Sequence, residues 1–521
     1  MDEVSIPEPT RNESFLNALA EHDFKRSLDG FERLNRSHGH STYEIMRLRT
    51  SQFNRIADIV VWPANHDEVV KLVQLAEEND VCIIPLGGGT NVTNGLECPE
   101  TEKRMICVLD MTDMNRILWI DRETMTARAE AGISGSELDE KLRKHGFYLG
   151  HEPDSYEFST LGGWVATRAS GMKKNKYGNI EDIVVDIRFV TPKGVLEQPD
   201  MAPRISCGPD LRHVILGSEG ILGVVTEVTF RINFIPECKR YGSIVFPSFS
   251  QGVKCCREIT LQNCIPTAFR LVDNEQFVFG QVLKSPGSSW KQLSDRLKKL
   301  YVTKIKGFDL TKMSVATVIF EGTKQEVDAK ERKLYAIAAK YGGLPAGAEN
   351  GRTGYLLTFA IAYLRDIAFE QSLVSESFET SVPWDKVLTL EEKVKKRVYA
   401  EGQSLGVKYP MLVSCRLTQV YPTGACLYFY GAINYRGLDG DPCDALAAIM
   451  KAARDEIAKC GGSLSHHHGV GKIRREYFGD YVGPVHLSIL GAIKRHLDPH
   501  NIFGAGNLHD FSQSETLVSK L

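Results

Sequence analysis

Pro85-Leu-Gly87-Gly88-Gly89-Thr90-Asn91-Val92 closes the apolar run from Val81 to Pro85 with three successive glycines. Glycine has no Cβ and adopts positive φ freely, so backbone N–H groups in such a loop can close on an anion; a plain tight turn is the alternative. The spacing matches neither the G-x-G-x-x-G fingerprint nor a Walker loop, which disfavours an ordinary Rossmann or P-loop nucleotide site. Two further glycine clusters follow. His151-Glu-Pro-Asp154-Ser155 leads through Thr160 to Gly162-Gly163, with Thr167 and Ser170 just beyond, and Gly217-Ser-Glu219-Gly220-Ile-Leu-Gly223 leads into a strand.

Three consecutive histidines, His466, His467 and His468, could move protons near neutrality, since imidazole titrates near 6.5. In an extended segment His467 points away from its two neighbours. Zinc prefers separated ligands such as H-x-x-x-H, so a bare triplet is a poor metal site and no metal is expected; surface histidines are the other reading. Arg365 ends an apolar run, Tyr355 to Leu364. A buried arginine must meet an anion, either Asp366 or Glu370 in a structural ion pair or an anionic ligand. The run itself reads as a buried core segment, with an apolar tunnel wall or membrane-facing gate as the alternative. Tyr428, in Cys426-Leu-Tyr428-Phe-Tyr430, sits in an alternating strand, where a tyrosine is commonly a core or interface aromatic.

The elements that must hold these residues are mixed. Residues 1–50 read as a charged helical leader. Residues 59–62 form a short strand, Asn65 to Glu68 has capping-box spacing ahead of a helix, residues 117–133 alternate as strand–turn–strand, and Ser134 to Glu137 opens a helix to about His145. Strand patterns recur at 183–191, 221–233, 314–320 and 424–434, with helices at 442–459 and near 481–497. The reading is an α+β chain in four parts: a helical segment over 1–50, a domain over 51–235, a second α+β domain over 236–455, and a segment over 456–521 that carries the histidines.

The chain has 521 residues, 42% hydrophobic and 25% charged, with 63 basic against 66 acidic side chains. That composition fits a folded protein of several domains and gives no reason to expect a nucleic-acid partner. No apolar run reaches membrane-spanning length, and the first residues show no secretory signal. Twelve cysteines without a C-x-x-C pair suggest a reducing compartment. Ser519-Lys520-Leu521 reads as a peroxisomal address.

In their order, the three glycine clusters resemble the FAD-binding domain of the vanillyl-alcohol oxidase superfamily, which implies a two-subdomain PCMH-type FAD-binding domain beside a substrate (cap) domain. The stretches GGWVATRASGMKKNKYGNIED, SFETSVPWD, ACLYFY and GGSLSHHHGVGK narrow the likeness. From about residue 36 to 508 the chain resembles the alkyl-dihydroxyacetonephosphate synthase family. The family's members often carry a further tryptophan- and glycine-containing segment ahead of that region.

The resemblance implies non-covalent FAD and the exchange of the acyl group of acyl-dihydroxyacetonephosphate for a fatty alcohol, through a covalent flavin N5 adduct and without net redox change. Carried over residue by residue, it gives proton-transfer roles to Tyr428 and His467, with His466 beside them; a phenol, ordinarily near 10, needs an adjacent positive charge for that task. Arg365, His468 and Ser377 fall on positions that contact substrate anions. Pro85, Gly87, Gly88, Gly89, Thr90, Asn91, His151, Asp154, Ser155, Thr160, Gly162, Gly163, Thr167, Ser170, Glu219, Gly220, Gly223, Val224 and Arg270 fall on or near the cofactor. Lys173 and Lys174 read as solvated charges rather than pyrophosphate ligands. Expected partners are the two substrates, the inner face of the peroxisomal membrane by peripheral association, an acyltransferase, and a second copy in a homodimer. A flavin oxidase or dehydrogenase of a hydroxy acid or alcohol, and an inactive flavin-binding scaffold, are the rival readings.

Overall fold

A computed structural model describes residues 6–198, 202–282, 304–361 and 364–511; Ser519-Lys520-Leu521 lies outside the described residues. The chain forms two compact units. The first comprises Met1–Gly171, Tyr177–Ile235 and His467–Leu521, the second Met172–Lys176 and Pro236–His466. This division differs from the four-part reading. The 1–50 segment belongs to the first unit, because Phe15 and Leu19 of the helix Glu13–Glu21 are fully buried in its core. The chain passes from the second unit to the first at His466/His467 rather than at residue 456.

In the first unit, β1 (Lys25–Ser27), β2 (Ile59–Trp62), β3 (Cys82–Leu86) and β4 (Ile106–Asp110) form a sheet in the order β1-β2-β4-β3, with β2 and β3 parallel to β4. All four residues of β2 are buried, as a parallel strand covered on both faces requires. Asn65 caps the helix His66–Glu78 through the Glu68 amide, and the helix lays Val69, Leu72, Val73 and Ala76 on the sheet. A second, antiparallel sheet is built from β5 (Ile117–Asp121), β6 (Thr126–Glu130), β8 (Val184–Thr191), β9 (Gly194–Leu196) and β10 (Val224–Arg231), in the order β5-β6-β10-β8-β9. The short strands β7 (Phe147–Tyr148) and β11 (Asn233–Phe234) pair with each other.

The second unit holds a seven-stranded antiparallel sheet: β12 (Cys238–Phe246), β13 (Ala268–Val272), β14 (Ser314–Gly322), β15 (Leu344–Pro345), β16 (Leu373–Pro383), β17 (Leu412–Val420) and β18 (Gly424–Asn434), ordered β15-β12-β14-β13-β17-β18-β16. Its helices include Val387–Ser404 and Pro442–Lys459, the latter capped by Asp441. The segment Met172–Lys176 belongs here. Met172 packs with Ala268, Ile319 and Tyr355. Lys173 corrects the sequence reading: it is 1% exposed and pairs with the equally buried Glu321 at 2.9 Å. Lys174 is not simply solvated either, since its Nζ lies 3.5 Å from the centre of the Tyr421 ring.

Candidate active site

In the first unit the parallel strand β3 delivers the glycine loop at its C-terminal end. A Cβ on Gly88 would stand 2.0 Å from the Phe158 carbonyl oxygen, and one on Gly87 2.3 Å from Thr160 Oγ1, so the loop lies directly on the 155–160 segment. Gly89 has φ 68°, the left-handed region that suits glycine. Among the described residues no backbone carbonyl receives the amides of Gly88, Gly89 or Thr90. The opposing segment is held by its own bonds. Ser155 Oγ meets Thr90 Oγ1 at 3.4 Å, and Thr160 caps the helix Leu161–Thr167 by accepting the Gly163 amide. Trp164 Nε1 donates to Ser159 Oγ at 2.8 Å, and Gly162 brings that helix onto Ala131.

His151 is 4% exposed, with its ring edge-on to Trp164 at 4.9 Å, and both ring nitrogens are buried without a hydrogen-bond partner among the described residues. Burial lowers its pKa to about 3, so the imidazole is neutral at physiological pH. Ser218 Oγ, at the third glycine cluster, is also buried and unpartnered. Orphaned polar atoms cost free energy unless a ligand completes them. Together with three unengaged amides, they fit a cofactor carrying phosphates and polar ring edges.

Other residues expected at the cofactor have their side chains engaged within the protein. The Glu219 carboxylate accepts from the Val470 amide (2.6 Å) and the Gly471 amide (2.7 Å), with Glu219 itself at φ 49°. It fastens the turn after the histidines rather than reaching for a ligand; burial pushes its pKa up, against those two bonds. A Cβ on Gly223 would meet the Val190 carbonyl at 2.2 Å, and Val224 pairs with Val190 in the sheet, so both serve strand packing. Asn91 Oδ1 accepts from the Gly95 amide, Thr167 Oγ1 donates to the Gly163 carbonyl, and Ser170 Oγ donates to Asn179 Oδ1. Pro85 lies in β3, where a Cβ on Gly220 would touch its ring at 3.4 Å; Asp154 is half-buried in the second glycine loop. Arg270 belongs to the second unit: it is buried in β13 with its guanidinium 5.9 Å from the Tyr355 ring.

The second unit gathers a polar cluster on β16, β17 and β18. Tyr428 of β18 stands in register with Glu379 of β16 and Arg416 of β17. Its Oη donates to Ser377 Oγ at 2.9 Å, and the Arg416 guanidinium lies 4.3 Å from its ring centre. Glu379 Oε1 accepts from Ser465 Oγ (2.8 Å) and the His466 amide (3.2 Å). His466 Nε2 shares a 2.6 Å hydrogen bond with Tyr421 Oη. Arg365, on the helix Leu364–Glu370, is partly exposed rather than deeply buried, and the run before it is mixed, with Tyr355 buried and Leu356 half exposed.

In the first unit the His467 and His468 rings meet edge-to-face at 4.6 Å. The chain bends here instead of extending, so neighbouring rings touch where strand alternation would have parted them. The sequence reading missed Arg416, Glu379 and Tyr421. A charged residue inside an otherwise uncharged strand, Arg416 in LVSCRLTQV, was the available signal.

The family described as "FAD binding domain" matches residues 57–198, and "FAD linked oxidases, C-terminal domain" matches residues 235–508. An alkyldihydroxyacetonephosphate synthase of Caenorhabditis elegans is 51% identical over 511 residues, covering 98% of this chain and 85% of the relative. The likeness therefore begins well before residue 36. A solved structure of an alkyldihydroxyacetonephosphate synthase superposes with TM-score 0.83 at 32% identity, over 96% of this chain and 87% of that one. A p-cresol methylhydroxylase structure, at 16% identity and TM-score 0.71 over 96% of each chain, shares the fold.

Proposed function

The chain belongs to the alkyldihydroxyacetonephosphate synthase family, and from that premise we propose that it replaces the acyl group of acyl-dihydroxyacetonephosphate by a long-chain fatty alcohol, releasing a fatty acid and an ether lipid precursor. The buried Tyr428 phenol, bonded to Ser377 and faced by Arg416, is the observation that supports the reading best. FAD, when bound, supplies an electron-poor ring system that lets one hard displacement proceed in two easier stages. The glycine-loop amides are suited to hold its pyrophosphate, with His151 and Ser218 completing polar contacts.

The chain's own groups manage protons and anions. Next to the ketone, the C1 hydrogen is acidic enough for a positioned base, and Tyr428 Oη takes it. The Ser377 hydroxyl can rotate from acceptor to donor as Oη ionises, so it holds either state. His467 carries protons between the departing and entering oxygens, with His466 beside it. Arg365 and His468 hold the carboxylate and phosphate; at Arg365 a guanidinium fork suits a carboxylate in a way a lysine does not.

Anaerobic turnover without an electron acceptor tests this. Labelled hexadecanol should enter a base-stable ether with matching release of fatty acid. Bleaching of the flavin by substrate, with no ether formed, would move the protein to an oxidase or dehydrogenase. Near-normal turnover by Tyr428→Phe would remove Tyr428 from the chemistry. We propose a peroxisomal location, read from Ser519-Lys520-Leu521, with peripheral attachment to the inner membrane face as a homodimer beside an acyltransferase. A fluorescent fusion that still reaches peroxisomes after loss of those three residues would contradict the address.

A further inference from the structure

Arg416 and Glu379 are 2% and 1% exposed, and each is a register partner of Tyr428. Cross-strand partners share a face of the sheet, so a cation and an anion flank one buried phenol. Their positions are not equivalent. The Arg416 guanidinium lies over the Tyr428 ring at 4.3 Å and reaches the Tyr430 ring at 5.1 Å. The Glu379 carboxylate is turned to Ser465 Oγ and the His466 amide. Tyr430 lies 5.0 Å away ring to ring, and Ser377 Oγ accepts from the phenol hydroxyl. His466 is bonded to Tyr421, which has Lys174 over its ring. Arg365 sits on the helix packed beside β16.

A guanidinium keeps its charge at every accessible pH and stacks flat on an aromatic face, where an ammonium would not sit in the same way. An opposite charge within about 4–6 Å favours the ionised form of an acid by about 1–3 pKa units. We propose that Arg416 is a positioning residue for Tyr428: its guanidinium stabilises the phenolate, which fits that side chain to take a carbon-bound proton near neutral pH. The inference rests on the proton-transfer role given to Tyr428 above.

Carbon-13 NMR of the FAD-loaded protein, labelled at tyrosine Cζ and with the Tyr428 signal assigned by its loss in Tyr428→Phe, reads the phenol directly. Wild-type Tyr428 should titrate below the ordinary tyrosine value near 10. Arg416→Met should raise that titration by about 1–3 units, Arg416→Gln should do the same, and Arg416→Lys should recover part of the shift. A wild-type titration at or above the ordinary value overturns the proposal without any variant, as does an equal titration in wild type and either neutral variant. The lower limb of the pH profile of kcat should move upward with the phenol. If the phenol shifts as expected while the limb stays in place, the pairing stands and the catalytic role of Tyr428 falls.

Discussion

His151 makes the stability of the first unit sensitive to acid. Its ring is buried and neutral, with a folded pKa of about 3, whereas an unfolded histidine titrates near 6.5. Below pH 6.5 the unfolded chain takes up a proton that the folded chain refuses. Stability is therefore lost as pH falls from 6.5 toward 3 and is fully present above that window. The linkage relation gives a loss of about 2 kcal/mol between pH 7 and pH 5 from this one group. Urea unfolding of flavin-free protein at the two pH values, wild type against His151→Phe, isolates it, because every other titrating group cancels in the double difference. The variant should lose about 2 kcal/mol less than wild type over that interval. At pH 7 it should be close to wild type in stability, since an apolar ring replaces two unpartnered nitrogens. It should also bind FAD more weakly if those nitrogens serve the cofactor. Equal pH dependence in the two proteins would refute the buried, neutral imidazole.

Gly88→Ala places a Cβ 2.0 Å from the Phe158 carbonyl, so the loop must move; FAD affinity should fall at least about tenfold, the equivalent of about 1.4 kcal/mol, as read by titration of flavin fluorescence. Glu219→Ala strands the Val470 and Gly471 amides and should cost about 2–4 kcal/mol in urea unfolding. Lys173→Met takes from the buried Glu321 its partner at 2.9 Å, with Lys239 further off at 3.6 Å, and should destabilise by about 3–5 kcal/mol; adding Glu321→Gln should restore much of that loss in the same measurement.

The strand Gly424–Asn434 and the helix Pro442–Lys459 coincide with their sequence readings because their signals are local. One is a nearly continuous apolar and aromatic run opened by a glycine, in the other apolar residues recur every three or four positions, and Asp441 caps the helix before Pro442. The three glycine clusters were legible for a related reason: a loop that touches another backbone must omit Cβ, and the omission is visible in the residue type. Arg416 and Glu379 were not legible, since nothing within LVSCRLTQV or SFETSVPWD says which strand lies beside which. Only register puts both charges at Tyr428.

Lys173 and Glu219 misled in opposite directions, and one physical point joins them. A charged residue near a glycine motif can serve a ligand, the solvent or the protein itself, and residue type does not choose among these. The choice follows from whether the charge is already matched. Glu219 has both carboxylate oxygens engaged by amides of the turn after the histidines, and Lys173 has an equally buried carboxylate at 2.9 Å. His151 lies beside the same glycine loops with two nitrogens that no group among the described residues completes. By that criterion the imidazole, rather than either charged neighbour, is the side chain of the three best placed to answer to the cofactor. FAD titrations of Glu219→Ala and His151→Phe, each corrected for its change in stability, should separate the two roles, with a direct loss of affinity only in the histidine variant.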